Sequence, residues 1–210
     1  MPRPRKTKAP PRDPRDAIID AALILAARQG WNDTTLADIA AEAGVTLAHA
    51  HRHFGSKAAI LGGFADRVDD AVLGGTGADL GTEPARDRLF DVLMRRFDAL
   101  KPHKDAVRAL AAAGAADPLA LACGACRLAR SMCWMLEAAG IATSGCRGRL
   151  RVKALTLGWA TVLRTWLRDE TEDHAPTMAA LDRLLRRGET LEGWCAGFGR
   201  RAARGDAAVA

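Results

Sequence analysis

Two short helical runs joined by a tight turn constrain this chain more than any other stretch of it. In TTLADIAAEAGVTLAHAHRHF, residues 34–54, Thr35 stands three residues before Asp38, the spacing of a capping box. It opens a helix buried through Leu36, Ile39 and Ala40 and closed by Gly44. Thr46 caps the next helix, which turns Leu47, Ala50 and Phe54 inward and leaves His49, Arg52 and His53 for solvent. Upstream, DPRDAIIDAALILAARQG spaces Ile18, Ala22, Leu25 and Ala26 as one helical face and stops at Gly30. The result is a three-helix unit over 13–64 with helix-turn-helix geometry, in which the second helix of the motif lies in the DNA major groove.

The rest of the chain follows the same class. Val, Ile and Thr never gather into the alternating run of a half-buried strand, and a 49% hydrophobic content over 210 residues is ample for a core, so an all-α fold is expected. No stretch reaches the roughly 18 apolar residues of a spanning helix, and MPRPRKTKAPPRDPR lacks the apolar segment of a secretory signal; a cytoplasmic protein with reduced thiols is expected. Charge is concentrated at the start: Arg3, Arg5, Lys6, Lys8, Arg12 and Arg15 stand against Asp13 alone. Residues 1–12 read as a basic flexible arm, suited either to tracking phosphate or to solubility.

The run TTLADIAAEAGVTLAHAHRHFGSKAAIL resembles the signature of the TetR family of transcriptional regulators, with a match covering residues 14–64. The resemblance implies an N-terminal helix-turn-helix, a C-terminal helical domain for ligand binding and dimerisation, a homodimer on operator DNA, and repression as the sign of control. It implies DNA contacts from Thr35, Thr46, His49, His51, Arg52, His53 and Lys57, with Lys57 at a helix N-terminus against a backbone phosphate. The family usually has Tyr where His51 and His53 stand; imidazole keeps a donor and makes the contact pH-sensitive, unless His51 merely packs or faces solvent. His49 and His53 are spaced as a metal pair, but no third ligand is in view, so neither metal nor cofactor is expected.

A glycine-rich stretch, with Gly74, Gly75, Gly77 and Gly81, separates this unit from a helical ligand-binding and dimerisation domain over 65–188. Helices are expected from Pro84 to Leu100, over 104–113, from Pro118 to about Ala139, over about 147–167 and over 175–187. The helix over 147–167 puts Val152, Leu155, Trp159, Val162 and Trp166 on one face, which suits core, dimer interface or pocket wall alike. By the TetR resemblance this face and Met178, Leu181 and Leu185 form the dimer interface. Phe97, Cys126, Met132, Trp134 and Trp159 are the candidate lining of a pocket for an apolar small molecule or lipid. Cys123, Cys126 and Cys133 share a face of one helix and read as buried inert thiols.

The segments RDRLFDVLMRRFDALKPHKDAVRAL, MLEAAGI and WLRDETEDHAPTMAALDRLL resemble a second, narrower family, the TetR-like lipid-binding accessory proteins of ubiquinone biosynthesis and their bacterial relatives. That resemblance implies an apolar pocket for a lipid or quinone precursor and a helix-turn-helix shape without DNA binding. Leu191, Trp194 and Phe198 fit an amphipathic helix over 189–204 that either makes peripheral membrane contact or docks as a flap. The basic arm, Arg52 and Lys57 favour the DNA-binding regulator; the two histidines and the lipid-family segments favour the alternative. No nucleophile, base and oxyanion set and no phosphate-binding glycine loop can be assembled, so no enzymatic activity is expected.

Overall fold

The computed structural model describes residues 13–75 and 83–189, and all regular structure among them is helical. Among the described residues the helices run in order: α1 (Pro14–Gln29), α2 (Leu36–Glu42), α3 (Leu47–His53), α4 (Lys57–Gly74), α5 (Ala85–Leu100), α6 (Lys104–Ala116), α7 (Pro118–Ala138) and α8 (Gly145–Arg168). A 3-10 turn over Lys101–His103 links α5 to α6, and residues 175–189 are again helical. The basic arm and the residues of the proposed C-terminal amphipathic helix, Leu191, Trp194 and Phe198 among them, lie outside the described residues.

Packing divides the chain into two compact units. Among the described residues, one holds 13–65 together with Asp105–Ala116; the other holds the described parts of 66–104 and 117–189.

In the first unit, α1 begins where the Asp13 carboxylate accepts from Arg15 N at 2.9 Å and Pro14 supplies a helix-ready φ. Ile18, Ile19, Ala22, Leu25 and Ala26 are buried on its inner face against α2 and α3, and each such large side chain contributes about 1.5–3 kcal/mol by leaving water. Between α2 and α3 the chain turns at Gly44 with φ +67°, a conformation costly for any residue bearing a Cβ. α4 packs so closely that a Cβ on Gly63 would sit 2.9 Å from the Phe54 ring and 3.1 Å from Ile19 Cδ1, which explains a glycine inside a helix.

The second unit packs α5 on α7 and α7 on α8 around Leu93, Phe97, Met132, Met135, Trp159, Trp166 and Leu181, all at most 2% exposed. Two polar clusters interrupt this core. Arg96 is paired with Asp69, which also accepts from Ser131 Oγ at 2.6 Å. Asp169 ends α8 and accepts from Thr171 and Thr177 through both backbone N–H and hydroxyl, at 2.5–3.1 Å. Burial pushes the Asp169 carboxyl up, but these four donors outweigh it and hold the group well below the usual carboxylate range.

Candidate nucleic-acid interface

The two threonines named from the sequence are both helix caps. Thr35 Oγ1 accepts from Asp38 N at 3.1 Å, while the Asp38 carboxylate accepts from Thr35 N at 2.9 Å and from its hydroxyl at 2.7 Å. These bonds from Thr35 hold the Asp38 carboxyl below its ordinary value. Thr46 Oγ1 accepts from His49 N at 3.2 Å, and its own O–H remains able to donate outward. Thr35 therefore spends its hydroxyl inside the protein, whereas Thr46 does not.

On α3, Ala50 and the following Phe54 are buried at 4% and 6%, while His51, Arg52 and His53 are exposed. Leu47, expected inside, is 52% exposed. It is the first helical residue, and a helical side chain leans toward its own N-terminus, so Leu47 projects past the end of α3 instead of over Ala50.

His49, Arg52 and His53 form one network. Arg52 NH2 lies 3.1 Å from His49 Nδ1, and His49 Nε2 lies 3.2 Å from His53 Nε2. Arginine can only donate, so His49 Nδ1 must be the acceptor and its proton must sit on Nε2, where it is given to His53.

Lys57 opens α4 but reaches back. Its ammonium donates to the carbonyl oxygens of Trp31 at 2.7 Å and Thr34 at 2.5 Å and lies 4.5 Å from the centre of the Trp31 ring. Lys57 thus joins the start of α4 to the loop ahead of α2, beside Thr35, with one N–H left to donate elsewhere. The sequence reading missed Trp31; a lone aromatic in the polar loop QGWNDT was the signal available. Arg15, named from the sequence only for its charge, places its guanidinium 5.5 Å from the centre of the Phe54 ring.

Of the candidate pocket residues, Phe97, Met132 and Trp159 are buried in the second unit, whereas Cys126 and Trp134 are exposed and do not join them. The reason is helical phase: α7 buries Ser131, Met132, Met135 and Leu136, and Trp134 stands two residues, about 200°, from Met132. The same phase exposes Cys123 and Cys126 and leaves Cys133 half-buried, correcting the expectation of buried thiols.

Of the candidate dimer residues, Leu155, Trp159, Val162, Trp166, Leu181 and Leu185 are buried within their own subunit, and Val152 and Met178 half-buried. The broad apolar face of α8 is used by its own unit. The opposite side bears Leu150 and Leu157, 57% and 74% exposed, with Ala154 and Thr161 exposed between and beyond them. No group of three or more His, Cys, Asp or Glu side chains among the described residues could hold a metal ion, and no described helix is long and apolar enough to cross a membrane.

Residues 18–63 match the family described as bacterial regulatory proteins, tetR family. The chain is 49% identical over 47 residues to the HTH-type transcriptional regulator BetI of Agrobacterium fabrum, a match covering 22% of this chain and 23% of that protein. It is 46% identical over 57 residues to the HTH-type transcriptional regulator SrpR of Pseudomonas putida, covering 27% of each. The match thus spans about a quarter of the length of these curated relatives. Among solved structures, a TetR transcriptional regulator from Nitrosomonas europaea superposes with a TM-score of 0.68 at 29% identity, covering 86% of this chain and 98% of that one. One from Rhodococcus sp. RHA1 gives 0.62 at 20% identity, covering 82% and 94%, a likeness of fold. The chain thus matches the tetR family's N-terminal domain over its helix-turn-helix, and its all-helical fold is similar to that of solved TetR regulators.

Proposed function

We propose that the protein is a homodimeric repressor that binds operator DNA through α3 and releases it when the second unit takes up a ligand. The observation that carries this reading is α3 itself: Thr46 caps it, Ala50 and the following Phe54 bury it, and His51, Arg52 and His53 remain exposed on one short helix. That is the disposition of a recognition helix, with side chains free for base edges and phosphates. Lys57 supplies a phosphate contact with its remaining N–H, and Thr46 a second with its hydroxyl.

Dimerisation follows from the geometry of operators, since one helix-turn-helix makes too few contacts and two-fold sites present half-sites about 34–36 Å apart or a multiple of it. The seam runs along Leu150, Ala154, Leu157 and Thr161, whose alternating spacing of four and three residues is that of a helix packed on another helix. The ligand binds among Phe97, Met132 and Trp159.

The test is titration of the purified protein onto a DNA fragment from its own promoter, with molar mass by light scattering. The expected result is a dimer binding that fragment at least a hundredfold more tightly than unrelated DNA of the same length. A monomer at micromolar concentration, or equal affinity for both fragments, overturns the reading.

A further inference from the structure

Two of the buried side-chain nitrogens for which the second unit's described residues offer no acceptor stand together in its aromatic core. Arg96, 5% exposed, is paired through NH1 with Asp69, but its Nε–H has no partner; Trp166, 0% exposed, leaves its Nε1–H unmet. Buried donors are ordinarily hydrogen-bonded, so two in one core call for an acceptor from outside the chain.

Both belong to a single aromatic column. Trp159 and Trp166 are seven residues apart on α8, two turns or about 10.5 Å along its axis. The Phe97 ring lies 4.4 Å from that of Trp159, inclined by 19°, and 5.4 Å from that of Trp166, inclined by 30°. It therefore fills the interval between the two indoles. The Arg96 guanidinium lies 5.6 Å from the Trp159 ring, and the Lys104 ammonium 5.4 Å from the Trp166 ring.

We propose that Phe97 is a plug, and that the place of its ring between Trp159 and Trp166 is the binding slot for a planar, uncharged aromatic bearing a carbonyl oxygen. The ligand stacks between the indoles as Phe97 swings aside, and its carbonyl accepts from Trp166 Nε1–H. Planarity follows from the stacked geometry of the ring that now holds the place. The acceptor follows from the unmet groups, which are both donors. Neutrality follows from cations that are already engaged: Asp69 balances Arg96, and the Lys104 ammonium beside Trp166 donates to the Asp169 carbonyl oxygen and faces Glu170, so that a carboxylate would add a further buried charge. Phe97 stands in the last turn of α5, just before the 3-10 turn at Lys101–His103, where a side chain can be re-aimed without moving the rest of the helix.

The inference rests on the ligand-binding part of the function proposed above, and it is tested without DNA, so that its failure leaves the promoter titration to decide the regulator on its own. The experiment is calorimetric titration of the full chain with acetophenone, ethylbenzene and benzoate, three probes of one ring size that differ in carbonyl and charge. Acetophenone should bind one to one and at least tenfold more tightly than either of the others. Trp166→Phe, which keeps a ring and removes the N–H, should weaken acetophenone on the order of fivefold and leave ethylbenzene unchanged. Phe97→Ala should tighten acetophenone at least tenfold; if that variant does not fold, Trp166→Phe and the probe series decide alone. Absence of acetophenone binding, equal affinity for ethylbenzene, preference for benzoate, or indifference to Trp166→Phe would each overturn the proposal, the last by showing that water serves that N–H.

Discussion

The Lys57 ammonium donates to the Trp31 carbonyl oxygen at 2.7 Å and lies 4.5 Å from the centre of its indole ring. Partial burial lowers the pKa of this lysine and the nearby Asp33 carboxylate works the other way, so the group is a cation held at some cost in solvation. It has two tasks in one position: fastening the loop ahead of α2 and offering its remaining N–H outward.

Lys57→Ala should therefore act twice. It should lower the stability of the N-terminal unit by about 1–3 kcal/mol, because the carbonyls of Trp31 and Thr34 lose a charged donor. It should also weaken operator and unrelated DNA alike and reduce the slope of log K against log salt by about one. Denaturant unfolding reads the first effect, and DNA titrations at several salt concentrations the second. Lost stability with an unchanged slope would leave Lys57 a loop fastener and no phosphate contact.

Arg52, His49 and His53 form one network on α3, and His51 is exposed beside it. A polyanion favours the charged forms, so DNA binding should take up protons, and affinity should rise as pH falls from about 8 to 6. The rise should shrink in high salt because the groups are exposed. Replacing His51 and His53 with Tyr should remove most of the pH dependence and preserve affinity at pH 8. A flat wild-type profile from fluorescence anisotropy would place these histidines off the phosphate backbone.

Leu157→Asp should turn the dimer into a monomer. Two symmetry-related leucines each contribute about 1.5–3 kcal/mol on burial, so the dissociation constant should rise by about a hundredfold or more. Arg149, Lys153 and Arg164 border the same side of α8, so wild-type association should strengthen as salt screens them. Sedimentation equilibrium measures both, and a Leu157→Asp dimer of wild-type strength would show that the subunits meet elsewhere.

Asp169 sets the acid limit of the second unit. Its carboxyl is held low by the bonds from Thr171 and Thr177 despite burial, so its stabilisation is complete above the ordinary carboxylate value of about 4 and is lost as pH falls below it. Thr177→Val, which removes one hydroxyl at a fully buried position, should cost about 1.5–3 kcal/mol at pH 7. The difference from wild type should narrow between pH 4 and pH 2. A gap that stayed constant down to pH 2 would assign the cost to packing and not to the carboxylate.

The local elements of this fold were legible in the residues because their causes are local. A capping threonine and its Asp38 partner, the φ +67° demanded at Gly44, and apolar side chains at helical spacing act within one or two turns, and the expected helices formed close to where those signals stand. What each helical face meets was decided by tertiary packing. A stripe through Leu155, Trp159, Val162 and Trp166 has the same periodicity whether it is covered by its own subunit or by a second one, and only the placement of α7 against α8 assigned it to the interior and left Leu150 and Leu157 outside. In the same way, the names of Lys57 and Trp31, twenty-six residues apart, carry no sign that one ammonium would rest on the other's carbonyl and ring. Sequence specifies what a side chain can offer over a turn or two; which partner it meets depends on how distant helices pack, and that arrangement exists only in the folded chain.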